Sequence, residues 1–350
     1  MKVKVNFCIL KGSIDKWPRL DSITCKKTSL LYEVLSIVLI IFAGTRALGP
    51  ANDYYNYYNM VVNKDALMLA NKELAFRALV NLVDIFGQAN FAVFLIIFAA
   101  LGVGLKIDAF RKLSPYPLLS IVLYMLSYFW LHEYVQIRAG VATGIFLLST
   151  KDLSEGRTKD YFIKVLLAIL FHWSSLVLIP LYFVMRYLSY RSVTMLPIVG
   201  IVVYLLRINF SVLVTYVLKK TCINPALYLM YAGYQDYINV FNLISISYLG
   251  IYLLVALIAR KKNIQFTNYE KVLFEIFCIG IFVFFTTSLL GAPVIAFRLL
   301  EYFMIVLIIF LPCLIRKFKE KEYVLLAIVA YYSCYCYYLF RNVIVFDKGV

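Results

Sequence analysis

Of the 350 residues, 63% are hydrophobic and only 15% charged, with a mean hydropathy of +0.84. A soluble domain carries about 45–50% apolar and about 25% charged residues, so the composition excludes a soluble enzyme and predicts an all-α polytopic membrane protein. The net charge of +16 calls for no nucleic-acid partner, because the cytoplasmic loops of membrane proteins collect Lys and Arg.

Residues 1–29 hold Lys2, Lys4, Lys11, Lys16, Arg19, Lys26 and Lys27 with no apolar run before Leu30, which predicts a basic cytoplasmic tail and no cleavable leader. One membrane domain follows over 30–340, then a short tail at 341–350. Its apolar stretches run at 31–45, 89–105, 115–131, 135–150, 158–185, 193–210, 241–259, 272–290, 294–314 and 323–340. Such continuous apolar runs suit helices, whose backbone groups are satisfied within the segment, and not the alternating strands of a barrel.

The stretch 158–185 is interrupted by Phe171-His172-Trp173-Ser174-Ser175. Taken as a re-entrant hairpin of two short helices, it brings the basic clusters near 106–112, 151–164, 186–191, 260–271 and 316–321 to the cytoplasmic side. The expected architecture is then about 10–11 transmembrane helices with one re-entrant hairpin. Residues 46–88 and 211–240 become outer loops too long to be plain connections. The first contains Asp53-Tyr54-Tyr55-Asn56-Tyr57-Tyr58; the second contains Tyr216, Tyr228, Tyr231, Tyr234, Asp236 and Tyr237.

An ionisable group within a span costs roughly 2.5–3.5 kcal/mol on insertion scales and is a functional candidate by default. Arg138, His172, Arg207, Arg298 and Glu301 qualify. Arg138 precedes and His172 follows the same cytoplasmic loop at 151–157. At ~1.5 Å per helical residue both rise about 20 Å above it, so a guanidinium and an imidazole reach similar depth toward the outer face. The run Gly140-Val141-Ala142-Thr143-Gly144 lets the helix after Arg138 pack closely on a neighbour. The chain has no phosphate-binding Gly-rich loop, no paired-cysteine motif and only two histidines, His132 and His172. No metal and no cofactor is therefore expected. The seven cysteines are scattered and suit small buried hydrophobes.

Gln136-Ile137-Arg138-Ala139-Gly140-Val141-Ala142, a short basic loop, and Leu167-Ala168-Ile169-Leu170-Phe171-His172-Trp173-Ser174-Ser175 resemble the EpsG/Wzy family of polysaccharide polymerases. Fainter likenesses are Arg46 with Gly49, Asp53 and Tyr54-Tyr55, and Arg298 with Tyr302-Phe303 and Pro312. Ala139 departs from the family, which often has Gln after the Arg.

The resemblance implies a GT-C-like membrane glycosyltransferase. It would join repeat units carried on undecaprenyl pyrophosphate at the periplasmic face of the bacterial inner membrane, making O antigen, capsule or exopolysaccharide. His172, Arg138 and Asp53 would be catalytic. Arg46, Arg207 and Arg298 would bind the diphosphate bidentately, and Tyr54, Tyr55 and Tyr234 would stack on sugars. Membrane lipid and a chain-length regulator protein would be partners. Two other readings use the same features: a flippase or transporter of the lipid-linked oligosaccharide, and an O-antigen ligase.

Overall fold

A computed structural model describes residues 26–46, 51–86, 90–208, 216, 239–290 and 293–342. Most of the basic tail, nearly all of the outer loop 211–240 with Tyr234, and most of the C-terminal tail lie outside these. Helix is the only regular secondary structure among the described residues, as lipid requires. The protein is all-α and polytopic.

Every apolar stretch of the sequence falls largely on helix. Among the described residues five helices are long and apolar enough to cross a membrane alone: Phe91–Leu113, Leu243–Lys261, Asn268–Leu290, Val294–Ile315 and Lys321–Arg341. A sixth forms if Pro117–Met125 and Phe129–Val135, bent by 61°, count together. Against the expected ten or eleven spans, the described residues hold five or six full-length candidates and a set of shorter, interrupted or more polar helices.

The chain divides into two compact units, Met1–Asp152 with Gly156–Ser175 and Ile308–Val350, and Leu153–Glu155 with Leu176–Leu307. In the first, α1 (Lys26–Gly44) runs along α5 (Phe91–Leu113). The approach is so close that a Cβ on Gly44 would lie 2.7 Å from Ile96. Leu30, Val34, Ile37, Val38 and Ile41 are exposed on α1, an apolar face suited to lipid.

Between α1 and α5 the outer segment folds as α2 (Ala51–Val61), α3 (Ala66–Ala70) and α4 (Leu74–Val83). The Asp65 carboxylate caps α3, accepting from the amides of Leu67 and Met68. Lys64 and Asp84 pair at 2.7 Å and tie the turn between α2 and α3 to the end of α4. Helix α4 buries Phe76, Val80 and Val83, one helical face, and packs on α5 and α8 (Thr158–Phe171).

Pro117 opens α6 (Pro117–Met125), where a missing amide hydrogen costs nothing. The chain then winds as a seven-residue π-helix, Phe129–Val135, before α7 (Ile137–Glu155). The glycine spacing works as the sequence implies. A Cβ on Gly144 would lie 2.8 Å from Leu105 of α5, and one on Gly140 would lie 2.9 Å from the His132 carbonyl.

Gly156, at φ +70, turns α7 toward α8. Buried Asp152 receives Arg157 at 2.7 Å and also Lys164. Helix α8 stops at Phe171, His172 is extended, and a 3-10 turn over Trp173–Val177 leads into α9 (Leu178–Tyr187). The break stands where the sequence placed it. Helix α14 (Leu307–Ile315) meets α6 through Ser120, whose hydroxyl donates to the Ile308 carbonyl at 2.8 Å.

Lys106 departs from expectation. Its sequence position suggests a cytoplasmic basic cluster, yet it is completely buried within α5, its ammonium turned onto Glu133.

In the second unit, α10 (Tyr190–Leu205) lies along α12 (Asn268–Thr287), with Gly200 against the Phe282 backbone. Gly280 of α12 makes room for Phe303 on α13 (Pro293–Met304). Thr267 and Glu270 cap α12 reciprocally, each side chain taking the other's backbone amide. Helix α11 (Leu243–Lys261) joins α10 through the Tyr252 hydroxyl, which donates to the Thr194 carbonyl at 2.9 Å.

Candidate active site

Three side chains meet at the break after α8. Glu73 precedes α4 in extended backbone and does not cap its own helix. Its carboxylate reaches instead across the unit. One oxygen, Oε2, accepts from Arg138 Nη1 at 2.5 Å. The other, Oε1, lies 3.3 Å from His172 Nδ1 and accepts from the Trp173 amide at 3.1 Å. Glu73 thereby caps the 3-10 turn that follows His172, where a carboxylate suits the unpaired amides.

The surroundings are aromatic and mostly buried. Phe76, one turn beyond Glu73, presents its ring 5.6 Å from the Arg138 guanidinium and packs against Tyr57, Phe94 and Phe98. Phe98 in turn meets Phe171 at 6.4 Å. The Tyr57 hydroxyl is hydrogen-bonded with Arg138. Glu73 is 1% exposed and Arg138 14% at the side chain, so the pair is held in low dielectric, where Coulomb terms are strong. Burial works to raise the Glu73 carboxyl, but the His172 hydrogen bond and the Arg138 charge outweigh it and hold it at about 2.

A carboxylate on Nδ1 fixes the imidazole with its proton there and its lone pair on Nε2, the arrangement that makes a histidine a proton acceptor. Arg46 lies nearby, with Tyr57 as a neighbour in common with Arg138. Arg46 Nη1 donates to the carbonyls of Ala43 and Glu133, each at 2.7 Å, and the guanidinium lies over the Tyr134 ring. Its Nε and Nη2 have no hydrogen-bond partner among the described residues.

The model of the EpsG family matches residues 29–349, nearly the whole chain. The chain belongs to the EpsG family. The family points to a polysaccharide-polymerase-like membrane protein. No curated protein and no solved structure matches the chain. The two segments that carry the EpsG likeness, around Arg138 and His172, are those that Glu73 joins.

The other residues singled out in the sequence fall in different places. Asp53 stands in the first turn of α2, half-buried, one turn before Tyr57 on the same face. It is not among the groups that Glu73 gathers. Tyr54 packs on Phe91 at 5.2 Å, while Tyr55 is exposed. Arg207 and Arg298 belong to the second unit: Arg207 is exposed at φ 53 after α10, and Arg298 is half-buried on α13. Tyr234 lies outside the described residues. Glu73 and Tyr57 are the members of this EpsG site that were not singled out. The one signal for Tyr57 was its place in the Tyr-rich run. Glu73 had none, because an acid in a polar loop looks like any solvated charge.

Proposed function

We propose that this EpsG-family protein is a membrane glycosyltransferase that polymerises oligosaccharide repeat units carried on undecaprenyl pyrophosphate. The observation that carries the reading is the Glu73 carboxylate bonded to both Arg138 and His172. It supports a base held in one tautomer beside a fixed guanidinium, at the two segments that mark the family.

In this mechanism an acceptor sugar hydroxyl attacks the anomeric carbon of the donor unit. The new C–O glycosidic bond forms as the bond to the diphosphate breaks, and its electron pair leaves with undecaprenyl diphosphate. The hydroxyl proton passes to His172 Nε2 and from there to water. Glu73 holds the imidazole and stabilises the imidazolium that forms. Charge grows on the departing diphosphate, where a guanidinium contributes most. Arg138 already faces Glu73, so Arg46, with two nitrogens that have no hydrogen-bond partner among the described residues against one in Arg138, is the better anion donor of the two.

Tyr54 and Tyr55 on α2 are the candidates for sugar contacts, and Arg298 and Arg207 are the second unit's candidates for binding the diphosphate. The site would face the periplasm of the inner membrane, with a chain-length regulator as partner. Asp53 is the rival base. A deletion strain separates this function from its neighbours by the glycan ladder on a gel. Single capped units identify a polymerase, absent surface glycan a flippase, and free polymer lacking lipid A attachment a ligase. His172→Ala in the complementing copy should collapse the ladder to single units; a full ladder would move the base to Asp53. Reporter fusions after Arg191 should read cytoplasm if the chain re-enters at the His172 break.

A further inference from the structure

Outside this cluster the first unit contains a second buried ion pair that the mechanism does not use. Lys106 of α5 and Glu133 of the π-helix are both 0% exposed at the side chain and pair at 2.7 Å. The same Glu133 oxygen, Oε1, accepts from the Tyr124 hydroxyl at 2.8 Å, and Lys106 Nζ also donates to the Gly140 carbonyl at 2.6 Å. Oε2 of Glu133 sits over Gly102, where any Cβ would overlap it. A buried pair of this kind is no more stabilising than well-packed apolar side chains of the same volume. Stability alone therefore does not account for it.

What its bonds connect is informative. The π-helix ends at Val135, α7 begins at Ile137, and Gln136 between them is non-helical at φ −106, ψ 56. Helical continuity therefore does not set how Arg138 is aimed relative to Glu133. Lys106 bridges that joint from outside: one bond lands before it, on Glu133, and one after it, on Gly140, two residues past Arg138. His132 and Thr143 make a second link over the same joint, Nδ1 to Oγ1 at 3.3 Å. The Glu133 carbonyl is also the acceptor that holds Arg46 Nη1.

We infer that Lys106 and Glu133 are positioning residues: a clamp across the joint between the π-helix and α7 that fixes the Arg46 and Arg138 guanidinium groups for an anionic lipid-linked donor. The role in reaction rests on the polymerase reading; the clamp itself rests on geometry alone.

The test uses the full-length protein in detergent micelles and the same variants in the deletion strain. Lys106→Met and the apolar double Lys106→Met/Glu133→Leu are compared with the parent. The double variant is included because a single change leaves one charge buried and can fail to fold. Amide hydrogen exchange over 136–142 should rise at least about tenfold in the double variant, while α12 exchanges as in the parent. Polymer made per inserted protein should fall roughly tenfold to hundredfold, the scale on which misplacement by about 1 Å acts, with the melting temperature kept. Parental exchange over 136–142 overturns the clamp. Raised exchange with a full ladder, in a strain whose ladder depends on this chain, overturns the positioning role. If the ladder does not depend on the chain at all, the polymerase reading fails, and the exchange result still decides the clamp.

Discussion

Two buried carboxylates of the first unit, Glu73 and Glu133, differ in what surrounds them. Glu73 faces Arg138, His172 and a backbone amide at the end of an interrupted helix, where its partners keep some exposure. Glu133 is closed in on every side by Lys106, Tyr124 and glycine backbone. A carboxylate between a guanidinium and an imidazole, at a break that keeps some exposure, can orient the ring that takes up a proton. One sealed between helices can only fasten them. The difference lies in access, since both pairs are similarly short.

The largest expected effect breaks the comparison at its reactive end. Glu73→Gln keeps the shape but removes the charge that orients His172, and polymer formation should drop on the order of 10²- to 10⁴-fold, the usual worth of a positioned acid–base group. The gel ladder per unit of inserted protein measures it, and retention of long chains would sink the dyad.

Next, Arg138→Ala leaves Glu73 buried without its guanidinium and should cost about 3–5 kcal/mol of stability, read as a lowered melting temperature in micelles. The paired change Arg138→Met/Glu73→Gln should restore most of that stability and none of the polymer.

At the fastening end, Gly102→Ala forces a methyl into Glu133 Oε2 and should destabilise by about 1–3 kcal/mol. Equal melting of variant and parent would show that the Glu133 packing is looser than described.

A further effect concerns acid. Glu73 is held at about 2 in the folded state, below the ordinary carboxylate value of about 4.3. Its contribution is therefore complete above about pH 4.3 and is lost as pH falls toward 2, because the unfolded chain binds the proton first. The parent's melting temperature should fall over that window more than that of Glu73→Gln; identical slopes would argue against the depressed carboxyl.

Much of this was legible along the chain. Hydropathy is a local property, and each apolar stretch became helix. The polar run at 171–175 marked the break, and the Gly140/Gly144 spacing marked a close approach. Arg138 and His172 were visible because charge within an apolar span is rare. Glu73 was invisible, since it lies 65 residues from Arg138 and 99 from His172 in a segment whose polarity suits solvent. Lys106 was misplaced by the same habit of reading, which assigns a lysine near a helix end to the loop; packing turned it inward onto a carboxylate 27 residues away.

The sequence by itself determined that this protein lives in a membrane as helices, belongs among the EpsG polymerase-like chains and has two conspicuous ionisable groups on either side of one basic loop. Tertiary structure alone decided which carboxylate joins them, which carbonyls hold Arg46 and which charges are sealed away. Apolar patterning is written into each segment by its own residues. Pairing between charges depends on where distant segments come to rest, and only a packed interior of low dielectric makes that pairing obligatory.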